Sequence, residues 1–266
     1  MKKYFDSDPI LIGGVGGSGT RIVTEILKQS GIFMGDSLNV SNDNMQIGNE
    51  FPNMRDVIQN RGPGHKRLTR NLKNQIRYNS KGERQIIEQT LIRFENQMFK
   101  DYQKRNGKCN GWGWKIPGNF FILEHLSNHY QNMKYIHLIR NGFDMAFSKN
   151  QDQLKNWGEY YGVDKNECTT PKAAINYWYA ANKKAISQGE ELLGKNFLVI
   201  KFEELCINPV KIVSRILNFI NIEKPDIDKL RQLIKKPETI NRYKNNNLAI
   251  FNEDAYSKVR EFGYRV

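Results

Sequence analysis

The sequence predicts an α/β fold of three layers, a central parallel sheet covered by helices on both faces. Two observations carry that prediction. Four short apolar runs, near residues 10, 112, 136 and 199, alternate with stretches of helical periodicity, and strands that alternate with helices build parallel sheets buried on both faces. The first run, Ile10 to Ile12, also feeds a loop with Gly at 13, 14, 16, 17 and 19 before a helical pattern begins. Strand, glycine loop and helix start together present backbone N–H groups and a positive helix end to an anion. Ligands of open parallel sheets bind at such strand carboxyl ends.

The elements follow in order. Ile22, Val23, Ile26 and Leu27 give the first helix one apolar side. Ser37 to Glu50, rich in Asn, Asp and Ser, has little periodicity and reads as loop. Residues 53 to 80 are basic and broken by Gly62-Pro63-Gly64. Ile87, Leu91, Phe94, Met98 and Tyr102 recur at helical spacing and predict a long amphipathic helix over Glu83 to Tyr102. Gly111 to Ile116 reads as a short strand stopped by Pro117, with a helix from about Asn119 to Tyr130. Lys134 to Ile139 is the clearest strand and runs into Arg140-Asn-Gly-Phe-Asp144, where a helix begins near Asn141 and would carry Ser148 two turns inside it. Pro171 to Leu193 is helical, and Phe197 to Phe202 is the last strong strand. Pro209 opens a helix with apolar residues at 212, 213, 216, 217 and 220. With no linker or internal repeat, residues 1–266 read as a single domain with an insertion at about 36–108.

The charge is +13, from 41 basic and 28 acidic residues, which suits an anionic ligand or surface. It is spread along the chain with no run of five like charges, so a nucleic-acid partner is not expected. Cys109, Cys168 and Cys206 are far apart and unpaired by any metal-ligand spacing, as in a reducing compartment. No apolar run approaches the ~18 residues of a membrane span. These readings together predict a cytoplasmic protein without a transmembrane segment.

The glycine loop fits two templates incompletely. Gly14-x-Gly16-x-x-Gly19, with Asp36 downstream, has the form of a dinucleotide fingerprint. Gly14-x4-Gly19-Thr20 has the form of a P-loop, but Thr20 replaces its lysine and Arg21 stands where Ser or Thr would hold magnesium. Nearly 75 residues separate Asp36 from the next strand, which weighs against the quick β-α-β alternation of a dinucleotide fold.

Four stretches then resemble the sulfotransferase family. Pro9 to Arg21 is similar to its 5′-phosphosulfate loop, and Trp114-Lys115-Ile116-Pro117 to the "K-x-P" element after its second strand. Ile139-Arg140 with Ser148 eight residues beyond the Arg resembles its second nucleotide motif. Phe197 to Leu205 with Asn208-Pro209 resembles its "v-x-Y-E-D-L…P" strand and helix. In register, they span residues 9 to about 245.

The resemblance implies a P-loop NTPase-like sulfotransferase architecture, closer to the carbohydrate and bacterial branch than to the cytosolic small-molecule branch. It implies 3′-phosphoadenosine 5′-phosphosulfate (PAPS) as donor, the 3′,5′-bisphosphate (PAP) as product, and no metal. Gly16, Gly17, Ser18, Gly19 and Thr20 would cradle the 5′-phosphate. Arg140, Ser148 and, from Ile240-Asn-Arg-Tyr-Lys244, Arg242 would meet the 3′-phosphate. Lys115 would stabilise charge in the in-line transition state.

The chain departs from the family pattern twice. Gly17 stands where a loop Arg or Lys is usual, with Arg21 as the substitute charge. Pro117 stands where the small-molecule branch has its catalytic His, so the general base comes from elsewhere. Asp36, Asp43, Glu50 and His65 are the candidates, with Asp43 and Glu50 first because they lie in the polar Asn42 to Glu50 stretch. The basic stretch from Arg61 to Arg77 suggests a polar hydroxyl-bearing acceptor such as a saccharide. A degenerate P-loop kinase or hydrolase and a non-catalytic nucleotide binder are the rival readings.

Overall fold

The computed structural model describes residues 5, 7–50, 54, 58, 80–105, 109–167, 170–223 and 225–266. Its sheet contains β1 (Ile10–Gly14), β2 (Gly113–Lys115), β3 (Lys134–Ile139) and β4 (Phe197–Lys201), all parallel, in the order β2-β1-β3-β4. Ile12 is level with Lys115 on one side and Ile136 on the other, and Ile139 is level with Lys201. The carboxyl ends of β2, β1 and β3 therefore lie side by side. They carry Lys115, the glycine loop and Arg140 respectively.

Strand alternation divides the core in two, because successive side chains leave opposite faces of the sheet. Ile10, Ile12, Ile136, Leu138, Leu198 and Ile200 face one layer. That layer holds α1 (Thr20–Gln29), through Val23, Ile26 and Leu27, and α9 (Pro209–Phe219), through Ile212, Val213, Ile216 and Leu217. Leu11, Trp114, Tyr135 and Ile139 face the other layer. There α3 (Ser80–Lys104) contributes Ile87, Leu91, Phe94 and Met98, and α4 (Leu123–His129) contributes Leu126. Phe143 of α5 (Gly142–Ala146), Trp178 of α7 (Pro171–Leu193) and Val259 of α11 (Glu253–Glu261) complete it. This is the three-layer arrangement that the apolar periodicities predict.

Three local differences from that reading have clear causes. The Ser37 to Glu50 stretch contains α2 (Met45–Gly48), opened by Asn44, whose side chain accepts from the Gln46 and Ile47 amides. An Asn cap starts a helix without any apolar periodicity. The helix expected from Asn119 begins instead as a 3-10 segment, Pro117–Ile122, before α4. Helix α5 is short: Gln151 Nε2 donates to the Met145 and Ser148 carbonyls, both at 2.9 Å, and closes its end. Ser148 therefore lies in the turn beyond α5, not two turns inside a helix. No helix among the described residues is long and apolar enough to cross a membrane.

His137 of β3 is wholly buried and bonds through Nε2 to Asn182 Oδ1 of α7 at 2.9 Å. Burial pushes its pKa down to about 4 from the usual 6.5, and the Asn182 bond opposes this only in part. In the window between those values the unfolded chain binds the extra proton, so stability rises with pH there and is lost as pH falls. Urea titrations at pH 4.5 and 7 measure the effect. His137→Gln should flatten the difference by up to ~1.4 kcal/mol per pH unit, whereas the same slope in both proteins would place the titration elsewhere.

Candidate functional site

The glycine loop is shaped by one tight closure and two glycines of positive φ. Ser18 closes on Val15, its amide donating to the Val15 carbonyl at 3.0 Å and its hydroxyl to the same oxygen at 2.6 Å. Gly17 and Gly19 have φ of 96° and 93°, a region open to glycine at no steric cost. At Gly19 a Cβ would also collide with the Phe202 ring. Helix α1 starts at Thr20 with no side-chain cap on Gly19, so its first amides are left to an external acceptor. Ser18 and Thr20 are buried beneath them. The Gly16 amide, expected among the cradle donors, donates instead to Gln153 Oε1 at 2.7 Å. With the Gly16 and Ser18 amides both engaged, Gly17, Gly19 and Thr20 are the remaining candidate amide donors.

On the β3 side, Arg140 is 4% exposed. Its Nη1 donates to the Gly17 carbonyl at 3.5 Å, and its Nη2 to the Thr239 carbonyl and to Thr239 Oγ1 at 3.1 Å. Its guanidinium lies 5.0 Å from the centre of the Phe202 ring, and its Nε is buried without a hydrogen-bond partner. Asp144, fully buried, approaches Nη2 at 3.6 Å and accepts from the Asn241 and Tyr243 amides at 2.9 and 3.2 Å. That strap brings Arg242 close to Arg140. Burial, with the Arg140 charge second, lowers the Arg242 pKa, and Asp144 opposes the shift. Ser148 Oγ lies beside Gly17, 3.8 Å from where a Cβ would stand. Arg140, Arg242, Ser148 and Gly17 are thus gathered at one place.

On the β2 side, Lys115 is 1% exposed and its Nζ donates to Asp43 Oδ1. The turn bearing Asp43 is fixed locally. Asn39 Oδ1 accepts from the Ser41 and Asp43 amides at 2.9 Å, and Asn39 Nδ2 donates to Asp43 Oδ2 at 3.0 Å. Asn44 anchors it to the strand end, its amide donating to the Lys115 carbonyl at 2.9 Å. Desolvation lowers the Lys115 pKa, Asp43 raises it, and the charge of Arg21 adds to the lowering. Arg21, exposed on the first turn of α1, is therefore within electrostatic reach of Lys115.

Of the base candidates, the structure brings Asp43 to Lys115. Glu50 lies past the end of α2, with its amide bonded to the Ile47 carbonyl. Asp36 is engaged by Arg105. His65 and the basic stretch from Arg61 to Arg77 lie outside the described residues. Five contributors went unassigned in the sequence. Asp144, Phe202 and Thr239 stood in or beside recognised stretches. So did Glu203, whose Oε1 accepts from the Asn141 amide at 2.9 Å behind Arg140. Gln153 had no sequence signal, since its partner lies 137 positions away.

A family profile described as the sulfotransferase family matches residues 9–226. The sulfotransferase domain of the Synechococcus PCC 7002 olefin synthase is 15% identical, with a TM-score of 0.54 over 100% of this chain and 98% of that one. The sulfotransferase domain of the curacin biosynthetic pathway is 12% identical, with a TM-score of 0.54 over 97% and 99%. Sulfotransferase STF1 of Mycobacterium tuberculosis H37Rv is 13% identical, with a TM-score of 0.52 over 97% and 78%. At these identities the three structures share the fold. No curated protein matches the sequence.

Substituting Asp43 probes the Lys115 pair directly. Asp43→Asn leaves Lys115 buried without its counter-ion, which should lower its pKa further and cost up to about 3 kcal/mol of stability. Chemical denaturation checks the cost, and the pH dependence of amine modification at Lys115 checks the shift. An unchanged Lys115 titration would show that Asp43 does not set it.

Proposed function

The chain belongs to the sulfotransferase family, and from that premise we propose that it moves a sulfuryl group from PAPS to a hydroxyl of a polar acceptor such as a saccharide. The carrying observation is the row of three strand ends. Two buried basic side chains, Lys115 and Arg140, stand on either side of the glycine loop that leads into α1. We read residues 1–266 as one domain serving this site.

The residues present fit the donor. Arg140 has a buried Nε without a protein partner, and the α1 start has amides without a side-chain cap; both suit anionic oxygens. PAPS, when bound, supplies the sulfuryl group and a 5′-phosphate leaving group. The Gly17, Gly19 and Thr20 amides and the Thr20 hydroxyl would hold that phosphate, aided by the α1 dipole. Arg140, Ser148 and Arg242 hold the 3′-phosphate and select against nucleotides that lack it.

Lys115 stabilises the negative charge that develops on the leaving side, in a site where low dielectric strengthens the effect. Asp43 takes the acceptor proton, because it already lies against Lys115 and keeps 21% of its side chain open to solvent. Arg21 adds positive charge on the same side, in place of the loop cation absent at Gly17. No step requires a metal from these residues.

Thermal shift separates this reading from its rivals. PAP should stabilise the protein well beyond AMP, ATP–magnesium or NAD, by about 2.7 kcal/mol at 100 times its dissociation constant. A larger shift with ATP–magnesium or NAD would sink the proposal. Arg140→Ala should cut the preference for PAP over AMP by about tenfold or more; an unchanged ratio removes Arg140 from the site. Lys115→Ala should lower kcat more than donor affinity, whereas equal losses would mean uniform binding.

A further inference from the structure

The sulfotransferase reading does not use Gln153, yet Gln153 is bonded to the glycine loop. It lies on α6 (Asp152–Trp157), in the segment that leaves Arg140 and passes Ser148. Its Oε1 accepts from the Gly16 amide at 2.7 Å and from the Tyr177 hydroxyl of α7 at 3.4 Å. Tyr177 is buried, so this acceptor rests on a fixed part of the core. A Cβ at Gly16 would point at the Gln153 carboxamide, 3.6 Å from its Cδ. Both the N–H and the open Cα face of Gly16 are therefore turned to Gln153, away from the amides that follow.

A loop with this many glycines pays heavily in backbone entropy when it is ordered around an anion. The Ser18–Val15 bonds fix the second half of the turn, while Gly16 is tied by Gln153. On the other side of Gln153, the Gln151 bonds to Met145 and Ser148 lock the route back to α5 and Arg140. The Gln153 carboxamide thus holds the loop wall of the nucleotide site, while the Gln151 carboxamide separately holds the Arg140–Ser148 wall.

We propose that Gln153 is a positioning residue of the donor site: it pre-orders the glycine loop for a 5′-phosphate by holding the Gly16 amide. The proposal rests on the sulfotransferase reading. It predicts that Gln153 matters to any nucleotide bearing a 5′-phosphate and not to one bearing only a 3′-phosphate.

Isothermal titration of PAP, AMP and adenosine 3′-phosphate against wild type and Gln153→Met tests it, with melting temperatures recorded in parallel. Methionine keeps the length of the side chain and removes the acceptor. PAP and AMP should bind about tenfold more weakly, while adenosine 3′-phosphate changes less than about twofold. Equal loss for all three nucleotides in Gln153→Met would reduce Gln153 to a general structural contact and overturn the proposal. Unchanged or tighter PAP binding would overturn it too, the latter by showing that Gln153 competes with the phosphate. If wild type fails to bind PAP at all, both the donor assignment and this inference fall. If it binds PAP and the variant behaves alike, the inference alone falls.

Discussion

The contact between Gly19 and Phe202 is the constraint on which the site depends. The loop passes so close to the start of α8 (Phe202–Ile207) that no side chain fits at position 19. The same ring lies against the guanidinium of Arg140, and Arg140 reaches both the Gly17 carbonyl and Thr239. Loop, β3 end, β4 end and the strap at 239–243 therefore share one set of contacts. A side chain at Gly19 would move Phe202, and with it the cation that binds both walls. The glycine there is a packing requirement as much as a conformational one.

Two buried cations with two carboxylates are not equivalent pairs. Asp144 is closed off and its oxygens accept two backbone amides, so its charge is fixed in place and its role is to hold the strap against Arg140. Asp43 sits on a short turn, partly open to solvent, and meets Lys115 through one oxygen and Asn39 through the other. Breaking the first pair disassembles a wall; breaking the second frees a partly exposed carboxylate beside a lysine. The difference follows from what else each carboxylate must satisfy. It is also why Asp43, of the two, is suited to a proton transfer that requires changing partners.

The sequence carried the layers well, because periodicity reports burial. Residues 212, 213, 216, 217 and 220 all fall in one buried cluster, and Ile87, Leu91, Phe94 and Met98 in the other. Arg140 stood out through a motif resemblance, and the structure places it at the carboxyl end of β3 beside the Gly17 carbonyl. Pairings were not legible. Lys115 and Asp43 are 72 positions apart and Gln153 and Gly16 are 137 apart, and no local pattern distinguishes Asp43 from Asp36 or Glu50 before the turn is folded. Ser148 was misplaced for a related reason. The helix after Arg140 ends early because a glutamine side chain caps it, and side-chain capping leaves no period to read.

The absence of a cation at Gly17 can be understood from the same geometry. Position 17 has a left-handed backbone, and a side chain there would begin 3.4 Å from Met145 and 3.8 Å from the Ser148 hydroxyl. An arginine or lysine would carry backbone strain of order 1 kcal/mol or more and crowd the place where Ser148 and Arg140 converge. Arg21 avoids both costs, standing on regular helix with an exposed side chain. Its charge acts on the opposite wall, where it lowers the Lys115 pKa. A cation on α1 thus places positive potential beside Lys115, away from the side where Arg140 and Ser148 converge. There it adds to the burial that lowers the Lys115 pKa, a shift that the bond to Asp43 opposes.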